Sequence, residues 1–437
     1  MARRLNASDP GFAAAFDALL NTRHEEEEGV AQAVRAIIAE VRARGDAALV
    51  ELTNKFDRAG VTVDTLKLSA AEIDAAVAQV SKEQAAAIET AAARIEAYHR
   101  RQLPQDARYT DETGALLGWR WTSVDSVGLY VPGGTAAYPS SVLMNAIPAR
   151  VAGVRRVVMV TPASGGTINP LVLAAARRAG VSDIYRIGGA QAVAALAYGT
   201  ASIRAVDKIV GPGNAYVAAA KREVFGQVGI DSVAGPSEIL VVADADNDPE
   251  WIAADLLSQA EHDASSQSIL ITDDAAFADK VAEAAIRQIA TLPRKAIAAK
   301  SWGDHGAIIT VKKLEDAAPL ADAFAPEHLE IATADPEGFA RLVRHAGAIF
   351  LGRHTPEAMG DYIAGPNHVL PTSRTARFSS GLSVLDFMKR TTLLGLDAKA
   401  IAAIGPDALI LAESEGLQAH ARSIAARLNR PRPDRKG

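Results

Sequence analysis

Residues 255–267, DLLSQAEHDASSQ, place a carboxamide and an imidazole three positions apart, at Gln259 and His262. On a helix of 3.6 residues per turn, this spacing separates the two side chains by about 60°, so they share a face. Such a pair can bind a metal ion, but a metal site needs three or four ligands and this segment offers two convincing ones. Polar residues in the last helical turn before a loop are the simpler interpretation of this segment alone.

Three later segments each combine a carboxylate with a histidine, and seven of the nine histidines lie from residue 262 onward. These segments carry Glu327 and His328 in FAPEHLEI, Asp361 and His368 in HTPEAMGDYIAGPNHVLP, and Glu415 and His420 in ESEGLQAHA. The first pair lies where a loop enters a strand, and a strand end is where α/β enzymes usually hold acid–base groups. Each residue alone could be a surface or capping residue, but together they favour a catalytic or metal site.

Composition limits the class of protein. The 437 residues allow roughly two to three domains, and 49% hydrophobic with 22% charged residues is typical of a soluble protein with a full core. The net charge of −6 indicates neither nucleic acid nor an anionic membrane as a partner. No apolar run is long enough for a membrane span, and Asp9 and Asp17 interrupt any signal-peptide core, so we expect a cytoplasmic protein. The absence of cysteine excludes disulfides, thiolate metal sites and thiol catalysis.

The elements that position these residues alternate in type. Helical periodicity dominates from about 29 to 102, and from Gly128 short apolar runs that end in Gly or Pro each precede a helical pattern. The strand candidates are SVGLYVPGG, RRVVMVTPAS, DIYRIGG, AVDKIVGPG, ILVVADAD, SQSILITDD, AIITV, HLEIATAD and AIFLG, and after Gly381 the chain becomes helical. This alternation predicts βαβ units and parallel sheets.

Three glycine turns could bind phosphate where strands end. They are Pro132-Gly133-Gly134, Gly188-Gly189 and Gly211-Pro212-Gly213. Ligands of open parallel sheets lie at the carboxyl ends of strands, and glycine lets backbone amides approach a phosphate closely. None of the turns completes G-x-G-x-x-G, and glycine also simply terminates βα units. A nucleotide site is permitted by the sequence without being demonstrated.

A wider set of motifs resembles one family. VGLYVPGGTAAYPSSVLMNAIPA, VGPGNAYV, AGPSEIL, QAEHD, APEHLEI, GDYIAGPNHVLPT and EGLQAHA, in this order and spacing, resemble the histidinol dehydrogenases over nearly the whole chain. The resemblance implies a cytoplasmic enzyme of histidine biosynthesis that uses one zinc per subunit. It would oxidise L-histidinol to L-histidinaldehyde and then to L-histidine with two NAD.

The resemblance also implies roles for individual residues. The metal ligands would be Gln259, His262, Asp361 and His420, with His420 supplied by the other subunit of a homodimer. The acid–base pair would be Glu327 and His328. The metal ligands and His328 would also contact the substrate, together with Ser237, His368 and Glu415. The nicotinamide cofactor would lie at Tyr130, Gln191 and Asn214.

The implied fold is α/β, with two incomplete Rossmann-like domains and terminal extensions that pack on the partner. The first domain would be discontinuous, at 25–129 and 239–381, around a second at 130–238. The extensions would be 1–24 and a helical 382–437 in the dimer interface. The periodicity changes at the same boundaries, but does not itself indicate a split domain.

The residues suit this chemistry. Nitrogen and oxygen ligands without sulfur suit zinc, and manganese or cobalt also fit. Without a thiol, the aldehyde cannot be trapped as a thiohemiacetal, so we expect hydration to a gem-diol, with Glu327 activating water and His328 again the base. The alternatives are a related zinc and NAD dehydrogenase of another small amino or sulfonated alcohol, a metal hydrolase, and a two-domain binding protein without catalysis.

Overall fold

The computed structural model describes residues 2–21, 28–133, 138–233 and 235–429, so Gly134 of the first glycine turn lies outside the described residues. The chain forms two compact units. One contains the residues up to Gln102 together with Asp125–Phe387, and the other contains Leu103–Val124 together with the chain from Met388. Within the described ranges, no helix combines the length and apolar character that a membrane crossing requires.

The strands are short and the helices connect them. The strands are β1 (Arg3–Asn6), β2 (Ala107–Thr110), β3 (Leu116–Ser123), β4 (Ser126–Tyr130), β5 (Arg156–Val160), β6 (Asp183–Tyr185), β7 (Lys208–Val210), β8 (Gly229–Ile230), β9 (Glu238–Ala243), β10 (Gln267–Thr272), β11 (Ala307–Thr310), β12 (His328–Ala332), β13 (Ala348–Leu351) and β14 (Met388–Gly395). The helices are α1 (Phe12–Asn21), α2 (Glu28–Arg44), α3 (Asp46–Asp57), α4 (Ala70–Val77), α5 (Lys82–Arg100), α6 (Pro139–Val151), α7 (Pro170–Ala179), α8 (Gly189–Tyr198), α9 (Ala215–Val224), α10 (Pro249–Ala260), α11 (Ala275–Ile289), α12 (Lys295–Asp304), α13 (Ala317–Phe324), α14 (Pro336–Ala340), α15 (Glu357–Tyr362), α16 (Ala398–Ser414) and α17 (Gln418–Arg427).

A six-stranded parallel sheet with the order β1-β11-β10-β9-β12-β13 lies in the first unit. Every residue of β9 (EILVVA) and β10 (QSILIT) is buried. Such continuous burial is expected when helices cover both faces of a parallel sheet. One face packs with α10, α11 and α12, and the other with α1 and α13.

A second parallel sheet in the same unit has the order β6-β5-β4-β7-β8. Residues of α2, α3, α8 and α9 form a continuous core with this sheet. On α6, the residues from Ser140 to Ala149 are all buried, and α6 contacts β4, β5, α5 and α7. The mixed α/β fold with parallel sheets is therefore confirmed, whereas the domain boundaries given above stay a prediction.

The second unit is an antiparallel sheet, β14-β3-β2, with two helices. The helices α16 and α17 contact each other through a small core that includes Leu409 and Ala421. The expectation of a helical chain after Gly381 did not include β14. Its sequence, MKRTTLLG, is charged and largely exposed, so it lacks the apolar run by which the other strands were predicted.

Candidate active site

The predicted acid–base pair lies at one edge of the six-stranded sheet. His328 is the first residue of β12 and Glu327 precedes it, while Glu238 is the first residue of the neighbouring strand β9. A strand end was predicted for this pair, and the structure identifies it as the amino end, opposite to the edge at which α/β proteins usually bind ligands. Because β9 and β10 are parallel, the helix α10 that joins them runs back along the sheet. Its last turn therefore brings Gln259 towards the same edge as the pair.

His328 is held as a neutral base. Its Nδ1 lies 2.8 Å from the carbonyl oxygen of Glu238. Because a carbonyl can only accept a hydrogen bond, Nδ1 carries the proton and Nε2 keeps its lone pair. Burial lowers the pKa of His328 to about 4, so the imidazole is uncharged at neutral pH. The arrangement provides a proton acceptor at Nε2.

Glu327 and Glu238 fix each other across the two strands. The Glu238 N–H donates to Glu327 Oε2 at 2.9 Å, and the Glu327 N–H donates to Glu238 Oε2 at 3.3 Å. The Ser373 N–H donates to Glu238 Oε1 at 2.9 Å. Glu327 Oε2 is 3.7 Å from His328 Nδ1. Burial, with the nearby carboxylates of Glu238, Asp361 and Glu357, raises the pKa of Glu327 well above its usual range.

Asp361 on α15 is the point where the predicted site histidines converge. One carboxylate oxygen lies 3.9 Å from His262 Nε2 and the other 3.5 Å from His368 Nδ1. Burial favours the protonated form, but the hydrogen bond and charge interaction with His368, together with the nearby imidazoles of His328 and His262, outweigh it and lower the pKa of Asp361 to about 2. Asp361 is thus an ionised carboxylate in a largely buried position, which suits a cation.

Gln259 is fully buried, and neither its Oε1 nor its Nε2 has a hydrogen-bond partner. The helix ends at Ala260, so the expectation that Gln259 and His262 share one helix needs correction. His262 lies in the following turn, where its N–H donates to the Gln259 carbonyl at 3.2 Å, and its side chain is 41% exposed. An unpartnered buried carboxamide normally destabilises a fold, and a ligand bound at Gln259 would supply the missing partner.

Three residues of this group offer potential ligand atoms close enough together to hold a metal ion. Single ligand atoms of His328, Glu357 and Asp361 all lie within 4.8 Å of one another. The set overlaps the sequence-predicted ligands at Asp361 and adds Glu357, which the sequence analysis did not select. Nitrogen and oxygen donors of this kind fit zinc, manganese or cobalt.

The predicted cofactor residues lie at the carboxyl edge of the five-stranded sheet. Tyr130 ends β4, Gln191 lies in the first turn of α8 after β6, and Asn214 is the N-cap of α9 after β7. The Gly189 N–H donates to the Tyr130 hydroxyl at 3.0 Å, and burial raises the pKa of that phenol to about 12. Parallel sheets bind ligands at this edge, and the N-termini of α8 and α9 suit an anionic group.

A buried ion pair, Lys221 with Asp231, holds the backbone of the turn at Gly211. Gly211 has φ +109°, and a Cβ there would lie 2.1 Å from the Tyr130 carbonyl oxygen, so only glycine fits. Its N–H donates to Asp231 Oδ2 at 2.7 Å, and Lys221 Nζ donates to its carbonyl at 3.0 Å. Lys221 and Asp231 also pair directly, with side chains 2% and 4% exposed. This support fixes the backbone beside the predicted cofactor residues.

The remaining predicted residues are Ser237, Glu415 and His420. Ser237 is half-buried directly before β9, and its carbonyl accepts the Gln267 N–H at 3.0 Å. Glu415 follows the last residue of α16 and His420 lies on α17, both exposed, in the second unit. The first unit therefore brings together the acid–base pair, His262, Asp361 and His368.

Comparisons with known proteins identify the family. The family model for histidinol dehydrogenase matches residues 20–428. The histidinol dehydrogenase of Rhizobium meliloti (strain 1021) is 64% identical over 429 residues, which is 98% of this chain and 99% of that protein. That of Rhodospirillum rubrum is 64% identical over 431 residues, with 98% and 99% of the two chains covered. The crystal structure of histidinol dehydrogenase from Elizabethkingia anophelis superimposes with a TM-score of 0.93 at 37% identity, covering 98% of each chain.

The chain belongs to the histidinol dehydrogenase family. It is accordingly an NAD-dependent oxidoreductase, as the sequence motifs indicated. The dehydrogenase class is thereby confirmed, and the metal hydrolase and the binding protein without catalysis are excluded.

Two features that support this site were not selected from the sequence. Glu238 directly follows Ser237 but gave no signal, because one acidic residue at the start of an apolar run is common. Asn367 holds the loop of His368: its Nδ2 donates to the Met144 carbonyl at 2.6 Å and lies 3.4 Å from Nε2 of the fully buried His99. His99 gave no signal either, because a lone histidine in a helical pattern looks like a surface residue until its tertiary contact is known.

Proposed function

We propose that this enzyme oxidises L-histidinol through L-histidinaldehyde to L-histidine with two NAD, the last steps of histidine biosynthesis. One observation carries the proposal beyond family membership. His328, a buried neutral base with a fixed tautomer, lies beside Glu327 and within the cluster that includes Asp361. A dehydrogenase of an alcohol and then of an aldehyde needs such a base twice.

The proposed metal ligands are Gln259, His262 and Asp361, with His420 from a second copy of the chain. The buried, unpartnered carboxamide of Gln259 and the ionised Asp361 support this set. A bound zinc, one per subunit, would hold and orient the amine and imidazole of histidinol. A glutamine oxygen is a weak ligand, so we expect weaker binding than in a structural zinc site.

The proposed cofactor residues are Tyr130, Gln191 and Asn214. Their position at the carboxyl edge of a parallel sheet, with the tightly supported Gly211 turn between them, supports a dinucleotide. NAD bound there would accept the hydride. The chain contributes backbone amides and the exposed Asn214 side chain, whose Oδ1 already caps α9 by accepting the Tyr216 N–H at 3.1 Å.

The first oxidation removes the hydroxyl proton of histidinol, and Nε2 of His328 is the acceptor. Its tautomer is already correct, because Nδ1 donates to the Glu238 carbonyl and cannot take the proton. A base in position contributes roughly 10²–10⁴-fold to the rate. Because the imidazole is buried and neutral, it accepts the proton without first losing another.

The second oxidation acts on the hydrated aldehyde. The chain has no cysteine, so a thiohemiacetal cannot form. Glu327 is the proposed activator of water, and His328 again takes the hydroxyl proton. Burial raises the pKa of Glu327 well above its usual range, and the Glu238 N–H holds its carboxyl group beside His328.

The remaining substrate contacts belong to the same proposal. Ser237 directly precedes β9, and His368 bonds to Asp361, so both lie near the acid–base pair. Glu415 of a second copy would pair with the substrate's cation or its imidazole N–H. A cytoplasmic homodimer is implied by the family resemblance, and sedimentation of the purified enzyme tests the dimer.

The experiment that tests this function is the stoichiometry of NADH per L-histidinol, followed to completion before and after chelation and zinc restoration. We expect two NADH per histidinol, lost on chelation and regained with zinc. One NADH would end the reaction at the aldehyde and remove the role of Glu327. If another small amino or sulfonated alcohol were turned over and histidinol were not, the substrate would be wrong while the enzyme class stood.

A further inference from the structure

One short segment of the chain carries two of the predicted site residues. Segment 361–368, DYIAGPNH, begins with Asp361 in the last turn of α15 and ends at His368. Asp361 Oδ1 lies 3.5 Å from His368 Nδ1, so the segment turns back on itself. In the described structure, residues 363–368 form neither helix nor strand, and α15 has only six residues, which is too short to be stable by itself. The positions of both side chains therefore depend on the contacts that hold the segment.

Arg94 of α5 binds the backbone of this segment. Its Nε donates to the Ile363 carbonyl at 2.7 Å, and its Nη2 donates to the Ala364 carbonyl at 3.1 Å. These two residues directly follow α15, where the end of a helix leaves carbonyl groups without a partner inside the helix. A guanidinium presents several donors in a fixed planar arrangement, so one arginine can hold two successive carbonyls. Arg94 thus fixes the chain two and three residues after Asp361.

The helix α5 meets the same segment at two further points. Gly365 has φ +115°, and a Cβ there would lie 3.2 Å from the Arg94 carbonyl oxygen and 3.4 Å from the Tyr98 Cβ, so the backbone lies close against α5. Near the end of α5, Nε2 of the buried His99 lies 3.4 Å from Asn367 Nδ2. Contacts from α5 therefore extend over most of the segment between the two site residues.

We propose that Arg94 is a positioning residue of the substrate site. By holding the two carbonyls, it sets the separation of Asp361 and His368 and so the affinity for L-histidinol. The inference rests on the proposed function, because it takes these two residues as part of the site that binds the metal and the substrate. Arg94 acts through the backbone of the segment and leaves proton transfer to His328. The predicted cofactor residues lie outside this segment, so the effect should fall on histidinol and not on NAD.

The test is the equilibrium binding of L-histidinol to the zinc-loaded full-length enzyme without NAD, measured by calorimetry, together with the KM values of both substrates. Arg94→Ala removes both hydrogen bonds, and because Arg94 is exposed, the change leaves no cavity in the core. We expect the Kd and the KM for histidinol to rise by roughly 10-fold, the effect of about one lost hydrogen bond, with the KM for NAD changed by less than about twofold. Arg94→Lys keeps the charge but lacks the planar pair of donors, so its histidinol Kd should lie between those of Arg94→Ala and the unmodified enzyme.

The matched control is Arg178→Ala. Arg178 of α7 also donates twice to α5, but to the carboxylate of Glu89, with its Nη2 2.8 Å from Oε1, rather than to segment 361–368. Its histidinol Kd and both KM values should match those of the unmodified enzyme. If Arg94 served stability alone, Arg94→Ala would lower kcat, because fewer molecules would be folded, and would leave both KM values unchanged.

A second variant moves the segment while Arg94 stays in place. In Gly365→Ala, the left-handed φ and the close contact with α5 force the backbone away from the helix, so the KM for histidinol should again rise while the KM for NAD is kept. An unchanged histidinol Kd in Arg94→Ala, or equal rises in the KM for histidinol and for NAD, would overturn the inference alone. If the unmodified enzyme neither bound nor oxidised histidinol, the proposed function would fail and the inference with it.

Discussion

Replacing Gln259 by methionine should stabilise the metal-free protein while it removes metal binding. The wild-type carboxamide is fully buried, and neither of its polar atoms has a hydrogen-bond partner. Folding without metal therefore removes those atoms from water without replacing their hydrogen bonds. Methionine has a similar length and no strong hydrogen-bonding group, so it fills the position without that cost.

The magnitude follows from the two polar atoms. Leaving a buried polar group unsatisfied costs about 1–3 kcal/mol in mutational data, so the free energy of unfolding of the metal-free variant should rise by about that amount. With zinc bound, the wild type should become the more stable of the two proteins. At zinc concentrations of 100 times the Kd, a ligand that binds only the folded state adds about 2.7 kcal/mol to the wild type. The variant should gain little, because it has lost one of the proposed ligands.

The assay is urea unfolding of both proteins at equal subunit concentration, first with chelator and then with zinc in excess. Gln288→Met is the matched control, because Gln288 is only half-buried and its Nε2 already donates to the Glu250 carboxylate at 2.7 Å. It should be neutral or slightly destabilising and keep the full response to zinc. A Gln259→Met protein that is less stable than wild type without metal, or that zinc stabilises equally, would refute the reasoning.

Three further predictions concern catalysis and stability. Glu327→Gln should largely spare histidinol oxidation and reduce histidinaldehyde oxidation by roughly 10²–10⁴-fold, measured on each substrate separately; equal losses would refute the division of roles. Burial lowers the pKa of His99, so the unfolded chain binds more protons than the folded protein, and the free energy of unfolding should fall as the pH decreases below about 6.5. In urea unfolding between about pH 5 and 8, the free energy of unfolding of His99→Gln should depend less on pH than that of the wild type. Asp231→Ala leaves the Lys221 ammonium unpaired and should cost about 3–5 kcal/mol in urea unfolding, whereas Glu223→Ala, in an exposed pair, should cost less than about 1 kcal/mol.

The parallel-sheet strands could be predicted because their burial leaves a direct trace in the sequence. The nine apolar runs proposed as strands all contain strands, from SVGLY at β4 to AIFL at β13. β1, β2, β3, β8 and β14 were not predicted. β1, β2 and β8 are short, β14 is largely exposed and β3 is mostly half-buried. All five occupy sheet edges or the antiparallel sheet, so tertiary pairing rather than an apolar run determines them.

The candidate site could be predicted in its residue types but not in its hydrogen bonds. The resemblance selected Asp361, His262 and His368, and the structure brings these three together. No sequence pattern could show that the carbonyl of Glu238 would determine the tautomer of His328, because that contact joins positions 90 residues apart. Backbone groups of this kind have no side-chain signature, so only the fold reveals them.

The residues proposed for the cofactor and those proposed for the substrate lie at opposite kinds of sheet edge. The predicted cofactor residues lie at the carboxyl edge of the five-stranded sheet, where glycine turns and helix N-termini suit an anionic dinucleotide. The predicted acid–base pair and the buried Gln259 lie towards the amino edge of the six-stranded sheet, where the unpartnered carboxamide oxygen suits a cation. Asn367 contacts elements of both sheets. Its side chain donates to the carbonyl of Met144 on α6, which packs on the five-stranded sheet. The next residue, His368, lies beside Asp361.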